Sequence, residues 1–286
     1  MLSIIIPSRN EPYLNKTIEC ILANFTGHYE LLVHIDGKPL ESLVQNERIK
    51  YIIDEEPVGM RTGINKCIGI SDGQTLMKCD AHCAFPESFD EIMQQDLRRD
   101  YVLTARRYSL DRNTWERKLD RKVRDFCYLY FPLDTERGRS MPIMDGNKKF
   151  ADNTVNDTMI FQGSCWVANK DYFLKTVGYL DAKNYSEFGS EQIEIGLNYW
   201  LKGGQVKRTT RTWYAHMHKG KRYYQENGFR TKTYKKWPDA VKGRTWATNH
   251  WIMNEEEGIT HTFEWLIDKF WPIPSWPDNW KEKLYS

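Results

Sequence analysis

At 286 residues the chain can bury a sizeable core as one large domain, or as one domain with an extension. Its 40% hydrophobic and 28% charged residues are ordinary for a soluble globular protein, and 41 Lys and Arg against 39 Asp and Glu leave a formal charge of only +2. The first apolar run, Leu2 to Ile6, stops at Pro7, which excludes a signal-peptide core or membrane span there and predicts a chain that starts directly on its first strand.

Ser3-Ile4-Ile5-Ile6-Pro7 is a short continuous apolar run, the pattern of a strand buried on both faces. Residues 13–25 place Leu14, Ile18, Ile21, Leu22 and Phe25 at helical spacing. Leu31 to Ile35 reads as a second strand stopped by Asp36-Gly37, Tyr51 to Ile53 as a third, and residues 60–70 as a helix. Thr75 to Cys79 is a fourth strand running into Asp80, and Tyr101 to Ala105 a fifth. Strands alternating with helices predict an α/β fold with a mostly parallel sheet. The charge-dense stretch 106–125 reads as a solvated helix, and the polar stretch 134–157 as a long surface loop; the functional alternative is an acceptor-binding insertion or flap. Met159 to Asn169 then reads as a strand, Glu191 to Leu201 as a helix and Arg211 to His218 as strand-like. Cys20, Cys67, Cys79, Cys83, Cys127 and Cys165 lack disulfide-scaffold spacing. No second Cys/His pair joins Cys79 and Cys83, so buried thiols in a reducing, cytoplasmic setting are expected rather than a zinc site.

In parallel sheets ligands bind beyond the carboxyl ends of the strands. Three polar signals stand at such ends: Ser8-Arg9-Asn10, Asp36-Gly37 and Asp80-Ala81-His82. On an extended segment residues i and i+2 point the same way, so Asp80 and His82 can share one cation. A carboxylate oxygen with an imidazole nitrogen suits Mn²⁺ better than Ca²⁺, and a divalent ion there would neutralise a diphosphate leaving group.

These stretches, with Gly59–Gly73 between them, resemble the nucleotide-sugar half of the GT-A glycosyltransferases. Asp-x-His in place of the usual Asp-x-Asp is similar to the polypeptide N-acetylgalactosaminyltransferases. A second block, Gln162 to Val167, Gly178 to Asp181 and Phe188 to Ile195 with Trp200, resembles that family's later motifs in order and spacing. The resemblance covers roughly residues 2–218. It implies a GT-A domain over 1–218, with a nucleotide-binding half at 1–105, a variable insertion at 106–157, an acceptor half at 158–218 and a basic, aromatic extension at 219–286.

By the same resemblance, Asp80, His82 and His216 would hold Mn²⁺, with Mg²⁺ the second candidate and His218 competing with His216. Pro7, Ser8, Arg9 and Asn10 would wall the base pocket, and Asp36 would contact uracil or ribose. Arg61 would meet the diphosphate, Glu191 would lie near sugar and acceptor, and Glu194 would hold the helix or site in place. Inverting relatives carry an Asp base where this chain has Gln192, and an amide cannot act as a general base, so retention is expected. That family's signal anchor, luminal disulfides and lectin domain are not expected here, and a mucin-type acceptor is not implied.

Residues 216–246 are strongly basic with aromatics interleaved. Lys219, Lys221 and Arg222 could close over the donor diphosphate as a lid, or the region could recognise an anionic acceptor such as DNA through Lys235 and Lys236. A solvated basic surface is the bland alternative. The Trp- and Pro-rich tail, Phe263 to Tyr285, is expected to pack back on the core. The leading expectation is thus a retaining UDP-sugar transferase whose acceptor is protein, glycan, small molecule or DNA. The rivals are a phage-type DNA-base glycosyltransferase and a catalytically decayed sugar- or nucleotide-binding module.

Overall fold

The structure, a computed structural model, describes residues 1–135, 138–185, 190–219 and 238–285. In chain order the first half runs β1 (Leu2–Ser8), α1 (Leu14–Asn24), β2 (Tyr29–Asp36), β3 (Ile49–Asp54), α2 (Met60–Ile70), β4 (Thr75–Cys79), β5 (Cys83–Ala84), α3 (Phe89–Asp96) and β6 (Tyr101–Ser109). After β7 (Cys127–Leu129), β8 (Asp134–Thr135), β9 (Gly138–Arg139), β10 (Ile143–Asp145) and β11 (Val155–Asp157) come β12 (Cys165–Asn169), α4 (Lys170–Thr176), α5 (Glu191–Leu201) and β13 (Gln205–His216). Three further helices, Pro238–Ile252, Phe263–Phe270 and Trp280–Leu284, follow.

Among the described residues the central sheet has the order β11-β13-β6-β12-β4-β1-β2-β3, with β5 paired to β13. β3, β2, β1 and β4 run parallel, as do β6 and β13, while β12 lies antiparallel between β4 and β6. The continuous apolar run of β1 follows from its having a core on each face. Ile4 and Ile6 join Leu14, Ile18 and Ile21 of α1 in one cluster, whereas Ile5 joins Ile64, Cys67 and Ile68 of α2 in the other. The same alternation splits Leu31 and Val33 from Leu32 on β2.

Three expected elements differ. The stretch 134–157, expected as a long surface loop, carries the short strands β8 to β11, of which β11 joins the main sheet, and it buries Met141 and Phe150. The strand expected over Met159–Asn169 begins only at Cys165. Its first residues leave the sheet to lie against α5, where the Met159 carbonyl accepts from Trp200 Nε1 at 3.1 Å. Ile160 occupies the space that a Cβ on Gly196 would fill. No helix forms over 106–125. Instead β6 runs on to Ser109, and its charges are internal: Arg106 and Arg107 are buried, paired with Asp125 and Asp145. Sequence periodicity cannot distinguish a cation in solvent from one that pairs across a loop, and here the pairs hold the insertion onto the sheet.

The tail does pack back on the core. Phe263, Leu266, Ile267 and Leu284 are fully buried, and Trp276 Nε1 donates to the Leu129 carbonyl at 2.6 Å. All six cysteines are free thiols. No described helix is long and apolar enough to cross a membrane.

Candidate active site

The carboxyl ends of β1, β2 and β4 lie side by side, and the residues that follow them build the site. After β1, Asn10 takes a left-handed backbone (φ 50°), a conformation Asn tolerates better than most residues. Pro7 is half-buried, Ser8 buried, and Arg9 and Asn10 exposed. At the end of β2, Asp36 is buried and its carboxylate is fully engaged. It accepts from the Val58 amide at 2.7 Å and the Gly59 amide at 3.3 Å, and it pairs with Arg9 at 2.7 Å. Asp36 therefore fixes the turn into α2 and ties Arg9 to it, so the β1 and β2 ends form one polar wall.

Asp80-Ala81-His82 is a turn rather than the expected extended segment. The reason is β5, which folds back to pair antiparallel with the end of β13, setting Cys83 opposite His216 and Ala84 opposite Ala215. That pairing, rather than i/i+2 alternation, assembles the cluster. His216 Nε2 lies 3.1 Å from Asp80 Oδ2, and His82 Nε2 lies 3.9 Å from the same oxygen. One potential ligand atom from each of the three falls within 4.8 Å of the others, a spacing a single small cation would span. His218 turns away, its Nε2 meeting Arg107 Nη1 at 3.0 Å and Arg124 Nη1 at 3.2 Å. Of the two competing histidines, only His216 joins the cluster.

Electrostatics suit a cation. Burial alone would raise the Asp80 pKa, but Lys78, His216 and His82 overcome it and hold the carboxyl well below its usual range. Burial pushes His216 down to about 3, with Asp80 opposing, so at neutral pH both ring nitrogens of this histidine are not protonated together. Burial followed by Arg107 and Arg124 takes His218 to about 4.

Two partners were not singled out from sequence. Lys78 is fully buried, and its Nζ reaches Asp80 Oδ1 at 2.6 Å, the Gly163 carbonyl at 2.7 Å and Glu191 Oε1 at 3.2 Å. Burial lowers its pKa, but Asp80 and Glu191 outweigh that and raise it, so it is a fixed ammonium. The signal was a lone Lys in the apolar strand Thr75–Cys79, two residues before Asp80. Glu11 is also buried; its Oε2 stands 3.0 Å from His82 Nδ1 and pairs with Lys219. This approach sets a carboxylate beside Nδ1 without an aligned hydrogen bond, while Nε2 faces the cluster. Burial works to raise the Glu11 pKa, yet His82 and Lys219 bring it below the ordinary carboxylate value.

Glu191 opens α5 behind Ser190, whose φ of 62° is left-handed. Its carboxylate and the Gln192 amide crowd Gly163, where a Cβ would sit 2.2 Å from Glu191 Oε1 and 2.9 Å from Gln192 Oε1. Only glycine admits this approach. Arg61 departs from expectation: it is fully buried, pairs with Glu194 and stacks over Tyr185 at 4.2 Å. Glu194 also accepts from the Asp181 amide at 2.9 Å, and so ties α2, the 178–181 turn and α5 together. The cation expected at the diphosphate is thus turned inward from α2 to meet the buried carboxylate of Glu194. Phe188, Gly189, Lys221, Arg222, Lys235 and Lys236 lie outside the described residues.

Residues 3–176, more than half the chain, match the sequence profile described as Glycosyl transferase family 2. The chain belongs to glycosyl transferase family 2. Its Asp80, His82 and Glu11 fall inside the matched region, and α5 and β13 fall beyond it. The fold is GT-A. A crystal structure of GalNAc-T7 with UDP, GalNAc and Mn²⁺ is similar to this family 2 chain, with a TM-score of 0.70 at 16% identity, covering 89% of this chain and 49% of that one. The chain thus spans about half the length of that structure. A crystal structure of S. aureus TarS gives a TM-score of 0.49 at 11% identity over 78% of this chain and 38% of that one. No curated protein matches the sequence.

Proposed function

We propose that the protein is a metal-dependent, retaining glycosyltransferase that takes its sugar from a UDP-sugar. The observation that carries this reading is the convergence of Asp80, His82 and His216 at the carboxyl ends of the nucleotide-binding strands. Two imidazole nitrogens and one carboxylate oxygen fit Mn²⁺, with Mg²⁺ the second candidate. When bound, such an ion supplies charge neutralisation for a departing diphosphate. Support for the donor comes from family membership and from the UDP and Mn²⁺ carried by the GalNAc-T7 structure.

The chain's own residues have separable tasks in this reading. Pro7, Ser8, Arg9, Asn10 and Asp36 wall the uridine, with Asp36 fixing the wall. Glu11 places a negative charge beside His82, and Lys78 holds Asp80 and Glu191 in place. Lys219, beside Glu11, and Arg222 act on the diphosphate side. Glu191 and Gln192 face the sugar from α5; the Gln192 amide cannot take the acceptor proton as a base, so the product keeps the donor's anomeric configuration.

The test is hydrolysis of UDP-hexoses with and without Mn²⁺, with the released anomer read by NMR. Asp80→Ala and His82→Ala should each abolish metal-dependent turnover. Full activity in either variant removes the metal site from the mechanism, and a β product from an α donor removes retention.

A further inference from the structure

Beyond the metal cluster, two guanidinium groups converge on one atom. Arg107 rises from β6, 1% exposed, and Arg124 comes from the loop before β7. Both grip Asp145 of β10: Arg107 Nη2 reaches its two oxygens at 2.7 and 2.9 Å, and Arg124 Nε reaches Oδ2 at 2.7 Å. One carboxylate thus answers two permanent cations, leaving a net positive charge. One further donor from each, Arg107 Nη1 and Arg124 Nη1, points at His218 Nε2, at 3.0 and 3.2 Å. A guanidinium only donates, so Nε2 meets them with its lone pair. A neutral nitrogen with a single lone pair therefore occupies the point where two cationic donors meet, a position that an oxyanion would fill with opposite charge and a lone pair for each donor. His218 is an exposed side chain and so a replaceable occupant. Its ring lies edge-on to that of His216 at 5.0 Å, which puts the donor pair one imidazole away from the Asp80–His82–His216 cluster.

We propose that Arg107 and Arg124 form an oxyanion subsite, for a phosphate or carboxylate group, which the His218 ring fills until the ligand displaces it. The inference rests on the glycosyltransferase reading for its purpose, since the anion would belong either to the acceptor or to the diphosphate of the donor. The binding itself does not depend on that reading.

Calorimetry on the full chain separates these cases, with inorganic phosphate alone as one probe and UDP with Mn²⁺ as the other. Phosphate should bind the wild type, Arg124→Gln should weaken it roughly tenfold, and His218→Ala should tighten it by removing the competing ring. Phosphate affinity that is the same in all three proteins would overturn the subsite. If Arg124→Gln loses its folded circular-dichroism signal, the exposed His218→Ala variant decides alone: tighter binding supports the subsite and unchanged binding rejects it. A matching loss of UDP affinity in Arg124→Gln assigns the subsite to the donor diphosphate, and unchanged UDP affinity assigns it to the acceptor. A wild type that binds phosphate but not UDP with Mn²⁺ supports the subsite and rejects the donor assignment instead.

Discussion

Lys78 shows how one side chain sets the chemistry around it. A buried ammonium between two carboxylates is costly to break, because removing it leaves both anions unpaired in a low-dielectric interior. Lys78→Met should therefore lower urea-unfolding stability by about 3–5 kcal/mol. Asp145 offers a pH test of the same logic. Burial opposes its ionisation, but Arg107 and Arg124 win and depress its pKa. A depressed carboxyl stabilises the fold above its unfolded pKa, and the contribution is lost as pH falls through the folded value. Asp145→Asn should thus cost stability at pH 7, roughly 1–3 kcal/mol, and flatten the acid limb of the stability curve below about pH 4.

At the scale of elements, the Arg61–Glu194 pair and the Gly163 approach hold α5 against α2 and β12. Arg61→Met should destabilise the protein by about 3–5 kcal/mol in thermal or urea unfolding while leaving UDP affinity unchanged in the folded fraction. A large loss of UDP affinity would instead return Arg61 to the donor site. Gly163→Ala should displace Glu191, with turnover falling while the far-UV circular dichroism is kept. Strands β1, β2 and β4 and helices α1, α2 and α5 were legible in the sequence because each carries its own period, apolar runs for doubly buried strands and 3.6-residue spacing for helices. The cluster Asp80, His82 and His216 was legible through motif order. Lys78, Glu11 and the inward turn of Arg61 were not, since their partners stand far along the chain and local patterning does not encode who meets whom. Residues 106–125 misled for the same reason: their charge signalled solvent, but Arg106 and Arg107 find carboxylates across the insertion.

Across the whole molecule, the helices after residue 238 share a core with α5 and the sheet. Trp276, which fills that core and bonds to the Leu129 carbonyl, joins the tail to β7. Trp276→Ala should cost about 3–5 kcal/mol, and near-UV and far-UV unfolding curves should still coincide as one transition. Separate transitions would mean that the tail folds on its own. The antiparallel insertion of β12 has a further consequence for how the molecule matures. β4 finds one neighbour, β1, early in the chain, but its other side stays open until β12 arrives long after the insertion has been made. His216 arrives later still, and pairing across such sequence separations is slow because loop-closure entropy is spent before contacts form. The Asp80–His82–His216 cluster is thus among the last features to assemble on refolding, and on the proposed metal-binding reading recovery of Mn²⁺ binding should trail recovery of helical signal in stopped-flow traces.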